Sequence, residues 1–240
     1  MAVQLSEARV LITGGTSGIG RAVAVSLASH GAVVAVSGRN AERGQQVVGE
    51  IESTGGKAEF LSSDLHDAES ARLLAAEAVT RLGHIDVLVN NAGVYPFGPT
   101  ESMTEEDFTA VFNLNVRVPF FLVAELAPKM AERGNGVIVN VTTMVAEYGN
   151  VGTSLYGASK AAVVSLTKTW AAEYGPRAYG STRSVQDRHS PKAPQLWVRG
   201  FAGWLALLPR AVPRRLKKSP TRLCSWRATK PATSTGSPSL

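Results

Sequence analysis

The chain has 240 residues, 44% hydrophobic and 18% charged, a balance that lets a soluble domain bury a core and excludes global disorder. Its one cysteine, Cys224, excludes an internal disulfide framework and a multi-cysteine metal site; no apolar run approaches the roughly 20 residues that span a bilayer, and the N-terminus MAVQLSEARV lacks the pattern of a secretion signal, so a cytoplasmic protein is expected. The net charge of +6 is uneven: residues 1–177 carry 13 Lys+Arg and 18 Asp+Glu, whereas residues 178–240 carry 12 Lys+Arg and one acid, Asp187.

Apolar runs and helical periods alternate along the first 177 residues. Val10-Leu11-Ile12-Thr13 reads as a buried parallel strand ending in glycines, and helical spacing follows from Ile19 to Ser29. Ala32 to Val36 is a second strand. Ala41 to Thr54 is a polar-faced helix stopped by Gly55-Gly56. Ala58 to Leu61 is a third strand, and Ala68 to Leu82 is a helix that stops at Gly83. After a fourth strand, Ile85 to Val89, the stretch Glu105 to Met130 holds one or two helices, with Pro119 as a boundary or kink. Val137 to Val141 is a fifth strand, and Leu155 to Tyr174 is a long helix closed by Gly175-Pro176. This alternation predicts an α/β fold: a doubly wound parallel sheet covered on both faces, with its ligand beyond the carboxyl ends of the strands.

Thr13-Gly14-Gly15-Thr16-Ser17-Gly18-Ile19-Gly20 follows the first strand and opens the first helix. Glycines allow a tight turn and close approach of a pyrophosphate, while the helix N-terminus offers free N–H groups and a positive dipole end. Gly14, Thr16, Ser17, Gly18, Ile19 and Gly20 are therefore cofactor-binding candidates. The spacing Gly-x3-Gly-x-Gly differs from the commoner G-x-G-x-x-G, and a turn that merely joins strand to helix is the competing reading. Ser37-Gly38-Arg39-Asn40 offers no acid for a ribose 2′-hydroxyl but one guanidinium suited to a 2′-phosphate. NADP(H) is favoured over NAD(H); a solvated surface arginine is the alternative.

Tyr156 and Lys160 stand four residues apart on the long helix, which puts them on one face. A free phenol titrates near about pH 10, and a nearby ammonium stabilises the phenolate and lowers that value. An oxidised nicotinamide adds a second positive charge. A shift of about two to three units represents about 3–4 kcal/mol of differential interaction. Two ordinary helix-surface residues are the competing reading of this spacing taken alone.

Five motifs occur in order: Thr13-Gly14-x3-Gly18-x-Gly20, Asp64 after the third strand, Asn90-Asn91-Ala92-Gly93 after the fourth, Asn115, and Tyr156-x3-Lys160. Over about residues 6–177 they resemble the short-chain dehydrogenase/reductase family. The resemblance implies a Rossmann-like, three-layer fold and hydride transfer between NADP(H), with NAD(H) as the alternative, and a carbonyl or secondary alcohol. It implies Tyr156 as general acid/base, with Lys160 lowering its pKa and holding the nicotinamide ribose. It implies a water positioned by Asn115 in the proton relay, Asp64 at the adenine and Asn90 bracing the sheet. The backbone of Asn91, Ala92 and Gly93 would border the adenosine ribose. The cofactor brings the chemistry, and the protein orients and polarises. The family's serine, 13 residues before the tyrosine, is Thr143 here. Threonine keeps the hydroxyl but adds a methyl and a stiffer χ1; Thr142 competes, but strand alternation turns it to the other face. A homo-oligomer, dimer or tetramer through the long helices, is also implied. Tyr95, Pro96 and Phe97 border the expected pocket, which points to an apolar or ring-bearing carbonyl substrate.

The resemblance stops at the tail. Where the family continues into a sixth strand and a loop resembling GVRVNAVSPG, this chain reads Ala178-Tyr179-Gly180-Ser181-Thr182-Arg183. Joining the third base of each codon to the first two of the next lets the junctions from Gly180 onward spell VNAVSPG. Those from Leu216 to Ser237 can spell EEVADAVVFLASDEASYIHGVT, which resembles the family's seventh-strand region. A one-base deletion near codons 177–178 accounts for the charge break and for the tail's 7 of 12 prolines and 3 of 4 tryptophans. The expectation is a dinucleotide-binding domain over residues 1–177 and an irregular basic segment over 178–240. The sixth and seventh strands would be missing, the fifth strand would be an exposed edge, and activity would be impaired. A non-catalytic nucleotide binder on the same fold is the alternative function, against which Tyr156, Lys160 and Asn115 argue. Nucleic-acid binding through the tail's cations is opposed by the frame argument. Neither a nucleic-acid nor a membrane partner is expected, and the histidines show no metal spacing.

Overall fold

The computed structural model describes residues 5–175 and 183–187. Six strands, β1 (Arg9–Thr13), β2 (Val33–Gly38), β3 (Lys57–Ser62), β4 (Val87–Asn90), β5 (Val137–Thr143) and β6 (Arg183–Asp187), form one parallel sheet in the order β3-β2-β1-β4-β5-β6. The helices are α1 (Gly18–Ser29), α2 (Ala41–Ser53), α3 (Ala68–Leu82), α4 (Glu105–Phe112), α5 (Val118–Arg133) and α6 (Ser154–Tyr174). The first five strands begin and end within two residues of the expected positions. Period-two alternation sends neighbouring side chains into two cores. Val10 and Ile12 of β1, Val87 and Val89 of β4, and Val137 and Val139 of β5 pack with Leu27 of α1 and Ile51 of α2. Leu11, Leu88 and Ile138 point the other way, against Leu74 of α3, Leu122 of α5 and Trp170 of α6. Both faces of the sheet are dry, which is why its strands read as continuous apolar runs rather than alternating ones. Burying each large aliphatic side chain stabilises the fold by about 1.5–3 kcal/mol.

The stretch after β4 is two helices joined by a wide π turn, Asn113–Arg117. Pro119 sits in the first turn of α5, where no intrahelical N–H is required. The break falls just before the proline, at the π turn, which places Asn115.

Two expectations are corrected. The helical stretch Glu105–Arg133 is long and apolar enough by length and composition to span a bilayer, although no such run was expected. It is a core helix: Val118, Leu122, Val123, Leu126 and Met130 face the sheet, and burial inside an α/β protein demands the same apolar content. The second correction concerns the sixth strand, which was expected to be missing. Arg183–Asp187 lies parallel to β5, in the register Val139↔Arg183 to Thr143↔Asp187, so β5 is not an edge. Ladder hydrogen bonds are made by backbone groups that every non-proline residue carries. A returning chain of changed side-chain sequence can still satisfy them. The other residues from 176 onward, including the seventh-strand region, lie outside the described residues.

Candidate active site

The motifs converge because a parallel sheet puts the carboxyl ends of all its strands on one side. The loop after β1, Arg39 after β2, Asp64 after β3, residues 91–93 after β4 and the start of α6 border one cleft of about 540 Å³. At one end it is lined by Gly14, Thr16, Ser17, Gly18 and Ile19, with Arg39 and Asp64 beside them. Asn91, Ala92 and Gly93 form the middle, and Tyr156 and Lys160 the other end.

The glycine loop is shaped by close backbone approach. Gly14 has φ +63°, and a Cβ there would lie 3.0 Å from the Ala92 Cα. Gly20 does not line the cleft: it packs beneath the loop, where a Cβ would come within 2.3 Å of the Gly14 carbonyl oxygen. Thr13 and Asn91 clamp the turn from below. The Thr13 hydroxyl accepts from the Asn91 and Ala92 amides at 3.0 and 3.1 Å. The Asn91 Nδ2 donates to the Thr13 and Gly14 carbonyls, both at 3.0 Å. Ser17 precedes α1 without a side-chain cap, and no acid lies in the first turn. The positive end of the helix dipole therefore opens onto the cleft with no acid of its own first turn to quench it.

Arg39 and Asp64 are both strongly exposed, with Nε 3.9 Å from Oδ1. Such a pair contributes little to stability, and the guanidinium can reorganise around an incoming anion at small cost.

At the other end, Lys160 is buried, and its Nζ donates to the Val141 carbonyl of β5 at 2.9 Å. That Nζ lies 5.9 Å from the centre of the half-buried Tyr156 ring. Tyr95 packs against Tyr156 with ring centres 6.0 Å apart. Asn115, buried at the π turn, grips the backbone of Val94 on both sides. Its Oδ1 accepts from the Val94 N–H and its Nδ2 donates to the Val94 carbonyl, each at 2.9 Å. The same Nδ2 donates to Ser159 Oγ at 3.0 Å, and Ser159 Oγ donates to the Tyr156 carbonyl at 2.7 Å. A closed circuit results: Asn115 to Val94, Val94 to Tyr95 along the chain, Tyr95 to Tyr156, Tyr156 to Ser159, and back to Asn115.

Asn90 lies under the cleft in a buried relay across β4, β5 and α6. Its Nδ2 donates to Asn140 Oδ1 at 2.8 Å, and Asn140 Nδ2 donates to Thr167 Oγ1 at 2.9 Å. Thr142 and Thr143 are both buried at the end of β5, and neither is among the residues that line the cleft. The sequence reading did not single out Ser159 or Asn140, and it quoted Thr13 without a role. Their only sequence signal is a polar residue inside an apolar element. Among the described residues, no group of three or more His, Cys, Asp or Glu could hold a metal ion.

A family model described as short chain dehydrogenase matches residues 8–179. The chain belongs to the short-chain dehydrogenase family. Among its relatives, a 3beta-hydroxysteroid dehydrogenase of Mediterraneibacter gnavus is 39% identical over 175 residues, 72% of this chain and 63% of that one. The 3-oxoacyl-[acyl-carrier-protein] reductase FabG of Thermotoga maritima is 40% identical over 167 residues, covering 70% and 68%. A solved metagenomic short-chain oxidoreductase in complex with NADP superposes with a TM-score of 0.75 at 29% identity, over 84% of this chain and 92% of that one. The match spans less than two thirds of the steroid dehydrogenase's length. As a short-chain dehydrogenase, the chain keeps the sheet, the glycine loop and the Tyr156–Lys160 helix over the matched region.

Proposed function

We propose that this short-chain dehydrogenase is an NADP(H)-dependent oxidoreductase acting on a carbonyl compound or secondary alcohol, with Tyr156 as general acid/base. The observation that carries the reading is the placement of Tyr156 and Lys160, with Nζ 5.9 Å from the ring centre, on the same cleft as the glycine loop.

The residues fit such a cofactor. Gly18 lines the cleft with nothing within 4 Å of where a Cβ would stand, and the uncapped N-terminus of α1 favours a pyrophosphate. Arg39 suits a 2′-phosphate, and Asp64 stands beside it for the adenine. The ends of β2 and β5 are three strand spacings apart, about 14 Å, so an extended dinucleotide reaches from Arg39 to Tyr156. Solved relatives about 30% identical hold NADP or NADPH.

When bound, the reduced dinucleotide supplies a hydride, and with it an electron pair, to the carbonyl carbon. The π pair of the carbonyl moves to its oxygen, which takes the phenolic proton of Tyr156; in oxidation the phenolate takes a proton back. Lys160, oriented by the Val141 carbonyl, sets a positive charge beside the phenol and stabilises the phenolate. Asn115 holds the loop after β4 against α6, and with it the Tyr95–Tyr156 contact. Thr143 is the hydroxyl assigned to the reacting oxygen. Thr143→Val keeps its shape without the hydroxyl, and unchanged turnover removes Thr143 from the site.

The protein acts on a small molecule as a cytoplasmic homo-oligomer. Residues 178–240 are the product of a shifted reading frame, of which Arg183–Asp187 still pairs with β5; the coding DNA around codon 177 decides this. The functional test is NADPH consumption against a panel of carbonyl compounds. Tyr156→Phe lowers kcat by about 10²–10⁴ while NADPH binding, followed by nicotinamide fluorescence, persists. Full turnover in that variant overturns the reading.

A further inference from the structure

Two loops frame Tyr156, one after β4 (residues 94–100) and one after β5 (residues 144–153). Between them they expose Tyr95, Phe97, Tyr148 and Val151, with Phe97 74% and Tyr95 66% accessible. Of these, Tyr95 lines the cleft, and exposed large apolar side chains on loops that border a cleft mark a binding surface more often than chance would place them there. This cluster is also held in place. Phe97 lies flat on Gly152, where a Cβ would sit 2.8–3.1 Å from three carbons of the ring. Gly152 has φ +77°, a conformation that glycine adopts without strain. The Gly98 N–H donates to the Gly152 carbonyl at 3.0 Å, and the Thr100 hydroxyl donates to Ser154 Oγ at 3.0 Å. Tyr95, on the same loop, lines the cleft and packs against Tyr156 at 59°. The aromatic wall is therefore built before any ligand arrives, and little ordering entropy opposes binding to it.

Charge narrows the ligand further. The two loops contain no Lys, Arg or His and one acid, Glu147. The cleft's other described cation, Arg39, follows β2, about 14 Å away in strand spacings. A phosphorylated, carboxylated or carrier-linked substrate would find no described basic group on this rim to offset its desolvation.

We propose that this rim selects a neutral, flat, ring-bearing ketone or its alcohol, and that Phe97 enforces the choice. The proposal rests on the oxidoreductase reading for its chemistry but not for its binding site. Its test compares kcat/KM of the full chain for the bicyclic ketone 2-tetralone, the acyclic ketone 2-octanone and the anionic thioester acetoacetyl-coenzyme A. In parallel, equilibrium binding of 2-naphthol is followed by its own fluorescence. The wild type is expected to prefer the bicyclic ketone. Phe97→Ala should reduce its preference over the acyclic ketone about tenfold and weaken 2-naphthol binding about tenfold. Gly152→Ala, which displaces the Phe97 ring without removing it, should do the same; thermal unfolding confirms that both variants fold. Preference for the thioester, or a ring preference indifferent to both substitutions, overturns the proposal while leaving the oxidoreductase reading intact. If 2-naphthol binds in a Phe97-dependent way but no carbonyl is reduced, the redox reading falls and the aromatic subsite stands. If 2-naphthol does not bind, the subsite is overturned.

Discussion

The circuit around Asn115 makes Ser159→Ala an informative single change. Ser159 is fully buried, and its Oγ is the second acceptor of Asn115 Nδ2 at 3.0 Å. Removing it leaves one Asn115 N–H with no acceptor at a site that is 1% exposed. The Tyr156 carbonyl also loses a donor, but its position inside α6 gives it a helical one. An unmet buried donor costs about 1–3 kcal/mol. A domain of this size loses about 2–4 °C in Tm per kcal/mol, so a fall of about 2–12 °C is expected. Asn115→Ala removes the contacts to Val94 as well and should destabilise more. Because the two residues share a bond, the double variant should be less destabilised than the sum of the singles, with a coupling of about 0.5–3 kcal/mol. Thr169→Ala is the control. Among the described residues its hydroxyl reaches only the Ser165 carbonyl of its own helix, at 3.4 Å on an exposed face, so its effect should stay within about 0.5 kcal/mol. Urea unfolding of the four variants measures the cycle. Strict additivity, or a Ser159→Ala effect no larger than that of Thr169→Ala, refutes the idea that this bond ties α6 to the π turn.

Gly20→Ala should abolish NADPH binding and lower stability by about 1–3 kcal/mol, because its Cβ meets the Gly14 carbonyl at 2.3 Å, a backbone atom that cannot swing aside; isothermal titration and urea midpoints read both. Arg39→Ala should weaken NADPH binding by about 10- to 100-fold and leave NADH nearly unaffected, since the guanidinium's task is the extra phosphate; equal losses for both cofactors would remove Arg39 from the site. Asp67 caps α3, and its carboxyl is held below the ordinary value of 3.8 mainly because it accepts the Ser70 backbone N–H, with the Ser70 hydroxyl second. Its stabilisation is therefore complete above the unfolded carboxylate range and is lost as pH falls through the lower folded value. The urea midpoint of the wild type should drop more steeply on acidification than that of Asp67→Asn, whose amide oxygen caps without titrating.

The amino-acid sequence alone determined what is local. Strand and helix periods placed the first five strands and their helices, because a side chain's face depends on its neighbours a few residues away. The chemistry of the cleft was legible for the same reason. Gly14 to Gly20 and Tyr156 with Lys160 each carry their geometry within one turn of chain. Tertiary structure alone decided which groups close on one another. Asn115 meets Val94 across 21 positions and Ser159 across 44, and no periodicity encodes such partners. Lys160 finds its orienting acceptor in the Val141 backbone, which any residue there would provide. The missing sixth strand, expected because the resemblance stops near residue 177, was misread for a related reason. Arg183–Asp187 pairs with β5 through peptide groups that are blind to side-chain identity, so a stretch with an unfamiliar sequence still extends the sheet.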